Sequence, residues 1–290
     1  MDTKALLQKV KTIEIKTRLL SKQLFSGEYN TAFKGKGMTF SEVKSYQYGD
    51  DVRNIDWNVT ARFNEPYVKV FEEEREQTIF LLLDVSGSQD FGSSLRSKRE
   101  LMIEVAAALA FSAVQHNDKV GAIFISDKVE KFIPAKKGRS HAMMLLTQLI
   151  KFKPTSSYTK LDEGLKFFKN SVKKRSVAFL ISDFIDEHPY VDSLKIANRN
   201  NDVVALPLFD DLERKLPSFG LTQFYDAESR QKKWVFSQAK ATKKAYEKQF
   251  NAHRDALRVI FRKSGVDFVE LNTSEEYIKA LNNLFKLRRR

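Results

Sequence analysis

The chain has 290 residues, no cysteine and a formal net charge of +13, with 42% hydrophobic and 30% charged residues. That length allows one large domain or two modest ones, and the balance is that of a globular protein rather than a disordered or fibrous one. The missing cysteine excludes a disulfide framework, a thiolate nucleophile and a Cys-ligated metal. No stretch reaches the roughly 18 consecutive apolar residues that a transmembrane helix requires.

The chain opens on MDTKALLQKVKTIEIKTRLL, which lacks the apolar core of a signal peptide, so a cytoplasmic location is expected. Leu6, Leu7, Val10, Ile13, Leu19 and Leu20 fall near helical spacing and predict a helix over 3–25. GEYNTAFKGKGMTF, rich in glycine and small polar residues, reads as irregular. MTFSEVKSYQYG and PYVKVFEEEREQTIFLLLD follow. The alternation in YVKVF predicts a half-exposed strand, and TIFLLL a strand buried on both faces. Between them Asp50, Asp51, Arg53, Asp56 and Arg62 alternate in sign, and Trp57 offers a large apolar anchor. The reading taken is a turn whose ion pairs pin this extension to the core. A partner-docking surface or a paired-carboxylate site stays open as the alternative.

Strands and helices then alternate. Helices are predicted over 97–116, 139–151, 160–172, 189–199 and 238–264, with a last helix in SEEYIKALNNLFKL. KVGAIFIS, KVEKFIPA, RSVAFLIS, DVVALPLF and GVDFVEL read as strands, and FYDAESRQKKWVFS as a hairpin. The pattern predicts an α/β fold, a doubly wound and mostly parallel sheet over 76–290, with a hairpin insertion near 221–237 and an N-terminal helix/strand extension over 1–75. Residues 228–263 hold eleven Lys/Arg against three acids. This basic stretch reads as a solvated helix face or as a surface for an anionic partner.

In an open parallel sheet ligands bind beyond the carboxyl ends of the strands. Three polar clusters fall there: Asp84, Ser86 and Ser88 in DVSGS, Thr159 in SSYTKLD, and Asp183 in SDFID. The strands ending at 84 and 182 are expected to be neighbours. Two carboxylates and three hydroxyls make a hard, all-oxygen set of low charge that suits Mg²⁺ or Mn²⁺ and welcomes a carboxylate from another molecule. The simpler account is helix capping, which Asp and Ser also perform after strands.

DVSGS, a threonine loop and SD after a buried strand resemble the metal-ion-dependent adhesion site of von Willebrand factor A domains. The resemblance implies Ser86, Ser88 and Thr159 as direct or near-direct ligands, with Asp84 and Asp183 acting directly or through water. The chain departs from that pattern in having Ser-Tyr rather than glycines before the threonine, and SDF rather than TDG. GKGMTFSEVKSYQYGDDVRNIDWNVTAR followed by VKVFEEEREQ is similar to a bacterial family of unknown function, domain of unknown function fifty-eight, usually linked to MoxR-type AAA+ ATPases. Many of that family carry transmembrane helices before this region, and none is expected here.

The resulting expectation is a non-enzymatic, divalent-metal-dependent interaction module. Its partner, a MoxR-type ATPase or a client of one, would offer an acidic side chain to the metal. The alternatives are a metal-dependent hydrolase or phosphatase, in which Asp84 and Asp183 hold the metal, and a non-specific nucleic-acid binder working through 228–263. His116, His141, His188 and His253 lack metal-ligand spacing, and no GxxxxGK sequence occurs to bind a nucleotide.

Overall fold

The computed structural model describes Thr12 and residues 38–73, 76–92, 96–218, 220–225 and 232–288. The helix expected over 3–25 lies, Thr12 apart, outside the described residues. The chain forms two compact units, a small one of Phe33–Glu76 and a large one that takes in Gln77–Arg290.

In the small unit β1 (Met38–Ser45) pairs antiparallel with β2 (Tyr67–Glu73), with a register shift between Phe40 and Glu42. A 3-10 turn at Val52–Asn54 and a helix, α1 (Trp57–Phe63), connect them. Two of the acids of GDDVRNIDW, Asp51 and Asp56, are N-caps. Asp51 accepts from the Arg53 amide, and Asp56 accepts from the amides of Asn58 and Val59 at 3.0 and 3.3 Å. Among the described residues the ion pairs of this segment are Lys44–Asp50 at 2.9 Å, Arg53–Asp51 at 2.9 Å and Lys69–Asp56 at 3.6 Å. Each joins residues of the same unit and braces it internally. Trp57 opens a helix with no buried residue and is 70% exposed.

The large unit is built on a seven-stranded sheet. β3 (Thr78–Asp84), β4 (Lys119–Ile125), β6 (Val177–Ser182) and β7 (Asp202–Phe209) run parallel, and β5 (Val129–Lys136) closes one edge antiparallel to β4. Two short strands, β10 (Asp267–Phe268) and β11 (Leu271–Asn272), both lie parallel to β7, where GVDFVEL was expected to give one strand. The order is β10-β7-β6-β3-β4-β5. TIFLLL and VAFLIS are buried along almost their whole length because helices cover both faces. On one side, α2 (Lys98–Gln115) packs with α3 (Arg139–Lys151). On the other, Phe80 and Leu82 meet Leu165 and Phe168 of α4 (Leu161–Ser171), Leu194 of α5 (Val191–Asn200), and Leu257 and Phe261 of α7 (Lys240–Ser264).

The helix α2 is buried nearly all round and starts on a capping box in which Ser97 and Glu100 exchange hydrogen bonds. A four-residue helix, α6 (Asp211–Arg214), follows β7, and α8 (Tyr277–Arg288) ends the described chain. The hairpin read from the sequence is β8 (Leu221–Tyr225) paired with β9 (Lys232–Phe236). In α7 the stripe of Tyr246, Phe250, Leu257 and Phe261 turns inward, whereas Lys240, Lys244, Lys248, Arg262 and Lys263 are exposed.

The chain leaves β3 for β4 on one side and returns through α3 and α4 to β6 on the other. The order therefore reverses between β3 and β6, and their carboxyl ends frame the crevice where open α/β sheets bind ligands.

Candidate functional site

Asp84 ends β3, and Asp183 directly follows Ser182, the last residue of β6. β3 and β6 are paired neighbours, as expected. The DVSGS loop is folded tightly on itself. Asp84 Oδ1 accepts from the Ser86 amide at 3.0 Å, and the Ser86 and Ser88 hydroxyls lie 3.0 Å apart. Asp84 Oδ2 accepts from the Ser182 hydroxyl at 2.5 Å and from Gln89 Nε2 at 3.4 Å.

The Thr159 loop is tied in from two directions: the Gly87 amide donates to the Ser157 carbonyl at 3.0 Å, and the Lys160 amide to Ser126 at the end of β4 at 2.8 Å. Thr159 is buried. Asp186 then accepts from the Leu161 amide at 2.8 Å, capping α4 and fastening the SDFID loop to the threonine loop. The three segments marked in the sequence thus converge on one sheet edge. Capping is part of the arrangement, but at Asp186 rather than at Asp84.

The electrostatics contain a group that local sequence did not single out. The Lys98 ammonium, 1% exposed, lies 2.6 Å from Asp183 and 2.6 Å from Glu213. Burial alone would drive this amine toward neutrality, but the charges of Asp183 and Glu213 outweigh it and hold its pKa above the usual range. Burial pushes Glu213 up against the pull of Lys98. Asp84 is raised to about 6, first by burial and second by the charge of Asp183. Two carboxylates plus Glu213 against one ammonium leave this edge of the sheet with an excess of negative charge.

A divalent cation fits that donor set. Oxygens on adjacent vertices of an octahedron with bonds of 2.0–2.1 Å are about 2.9 Å apart, and the Ser86–Ser88 separation is 3.0 Å. Gln89 Oε1 is buried and has no hydrogen-bond donor among the described residues. The carboxylates are already engaged by protein donors, which makes them suited to bind through water behind the hydroxyls. No cluster of three or more His, Cys, Asp or Glu among the described residues is arranged to hold a metal. Any metal at this edge would therefore rest on hydroxyl oxygens.

Phe184 follows Asp183 with φ 58°, a left-handed conformation that a bulky side chain rarely adopts. Its ring is buried edge-on to Phe261 at 5.0 Å and lies 6.2 Å from Tyr190. The buried ring packs at a backbone conformation that glycine would adopt without strain.

The whole chain is similar to the uncharacterized protein Rv1480 of Mycobacterium tuberculosis, 27% identical over 292 residues and covering 92% of that protein. Among solved structures it is similar to an aerotolerance-related membrane protein from Bacteroides fragilis, with a TM-score of 0.51 and 15% identity over 73% of this chain and 99% of that one. It is also similar to the SpRpn10 VWA domain, with a TM-score of 0.40 and 11% identity over 73% of this chain and 95% of that one. The fold is the mixed α/β type with a mostly parallel sheet that the sequence predicted. The cytoplasmic location expected from the sequence is corrected, because the structure matched at 0.51 is described as a membrane protein. No helix among the described residues is long and apolar enough to cross a membrane. The profile described as "Protein of unknown function DUF58" matches residues 42–256, and the chain belongs to that family.

Proposed function

We propose that this protein is a divalent-metal-dependent protein-interaction module. Ser86, Ser88 and Thr159 would hold Mg²⁺ or Mn²⁺, with Asp84 and Asp183 behind them. The bound ion would supply an open coordination position to an acidic side chain of the partner. The observation that carries this reading is the pair of hydroxyl oxygens 3.0 Å apart beside two buried carboxylates at the reversal of strand order. Membership of the DUF58 family, together with its resemblance-based link to MoxR-type AAA+ ATPases, supports such an ATPase or one of its clients as the partner.

Hydrolysis is the weaker reading. Asp84 accepts three hydrogen bonds, and Asp183 accepts from Lys98 at 2.6 Å and from the Ile185 amide at 3.2 Å, so neither carboxylate is poised as a base.

Thermal melting with Mg²⁺ or Mn²⁺ tests the site. Metal that binds the folded state alone stabilises it by about 2.7 kcal/mol at a hundredfold excess over its dissociation constant. Asp84→Ala and Ser86→Ala should reduce that gain, and EDTA should abolish capture of a MoxR-type ATPase or its client. An equal melting shift in wild type and Asp84→Ala would place the metal elsewhere. Metal-dependent turnover of phosphoesters or peptides that disappears in Asp183→Ala would replace the module with an enzyme.

A further inference from the structure

A cavity of about 340 Å³ lies between the ends of β6 and β7 and the inward face of α7. Ile185, Pro207, Phe209, Phe250 and Leu257 give it apolar walls. The volume is at the small end for ligand pockets, room for one large side chain and the main chain next to it.

The polar part of the wall is unfinished. Arg254 Nε and His253 Nε2 are buried and have no hydrogen-bond partner among the described residues, and both residues line the cavity. The Arg254 guanidinium is held in place: it sits over the Phe209 ring at 4.5 Å and the Phe250 ring at 5.5 Å, and a terminal nitrogen pairs with Glu270. Glu270 is shared with Arg258 at 2.9 Å, and the Arg254 Nε–H lacks an acceptor among the described residues. The other acids of the wall, Asp183 and Glu213, share Lys98. What the cavity lacks is a neutral acceptor oxygen beside apolar bulk. A ligand carboxylate would face Asp183, Glu213 and Glu270 in the same lining, and a neutral carbonyl would not be repelled by them.

We propose that this cavity binds a large apolar residue of a peptide, whose main-chain carbonyl accepts a hydrogen bond from Arg254 Nε. The assignment needs no metal at Ser86 and Ser88, so it stands or fails apart from the reading above.

The test is methyl-detected NMR of the full chain in EDTA, following Ile185, Leu208 and Leu257. The probes are N-acetyl-phenylalaninamide and N-acetyl-leucinamide, with N-acetyl-lysinamide and 3-phenylpropionate for comparison. The two apolar amides should shift these methyl signals at millimolar concentration, and the lysine amide should not. Arg254→Lys keeps a charge for Glu270 but removes the Nε–H, and should weaken binding about tenfold. Ile185→Trp, at an exposed position of the rim, should block the cavity while the melting transition shows that the chain still folds. The proposal is overturned if the apolar amides cause no shift, or if neither variant changes their affinity. Tighter binding of phenylpropionate than of the phenylalanine amide also overturns it and assigns the cavity to a small organic acid.

Discussion

Burial and the adjacent Asp183 charge lift the Asp84 carboxyl to about 6 from an ordinary 3.8. An acid raised in this way binds its proton more tightly in the folded state. Its stabilising contribution is complete below about pH 4 and is lost as the pH climbs through 6. The displacement corresponds to about 3 kcal/mol. In chelator, Asp84→Asn should therefore gain on wild type by up to that amount between pH 4 and 6, with a level difference above. Urea unfolding at stepped pH measures it, and a difference that stays flat would mean the carboxyl is not raised. At this scale the site was half legible. Asp84, Ser86, Ser88, Thr159 and Asp183 stand out because each follows an apolar run or precedes a helix. Lys98 does not, because a lysine in the first turn of a helix reads as solvated. Gln89, Ser182 and Glu213 are equally silent, since their role depends on neighbours that only the folded sheet supplies.

The elements show how closely the helices lie on the sheet. A Cβ built on Gly164 of α4 would stand 2.3 Å from Ile125 Cδ1 of β4, well inside contact distance. Gly164→Ala should cost about 1–3 kcal/mol through overpacking, despite the better helix propensity of alanine. Chemical denaturation would show a lowered midpoint, and a raised midpoint would mean that Ile125 moves aside freely. Most elements were legible from their apolar runs: β3, β4, β6 and β7 are strands where the sequence reads strands, and α3 spans the predicted 139–151. The misses have physical causes. The helix α1 buries no residue and so leaves no apolar period to read. The strands β2 and β3, which follow one another in the chain, join different sheets. Strand composition marks that a segment is extended but not which sheet it joins.

For the molecule as a whole, Lys98 is where distant parts of the chain meet. It joins the start of α2 to the loop after β6 and to α6 after β7. Lys98→Met would leave Asp183 and Glu213 buried without their counter-charge, and loss of one partner of a buried ion pair typically costs about 3–5 kcal/mol. Calorimetric or urea unfolding of the metal-free protein would register it. A change under about 1 kcal/mol would mean that the two acids simply take up protons.

The spacing of those contacts along the chain also has a consequence in time. Asp183 and Glu213 stand 85 and 115 residues after Lys98. Contacts that close such long loops carry an entropy cost before they return anything. The ammonium can meet both acids only once β3, β6 and β7 lie side by side. The triad then acts as a late latch, closing after the folding barrier is crossed. Its removal should leave the refolding rate nearly unchanged and accelerate unfolding, so that the protein escapes its native state sooner without being slower to find it. Stopped-flow folding of Lys98→Met separates the two rates, and a slowed refolding arm would move the latch into the folding nucleus.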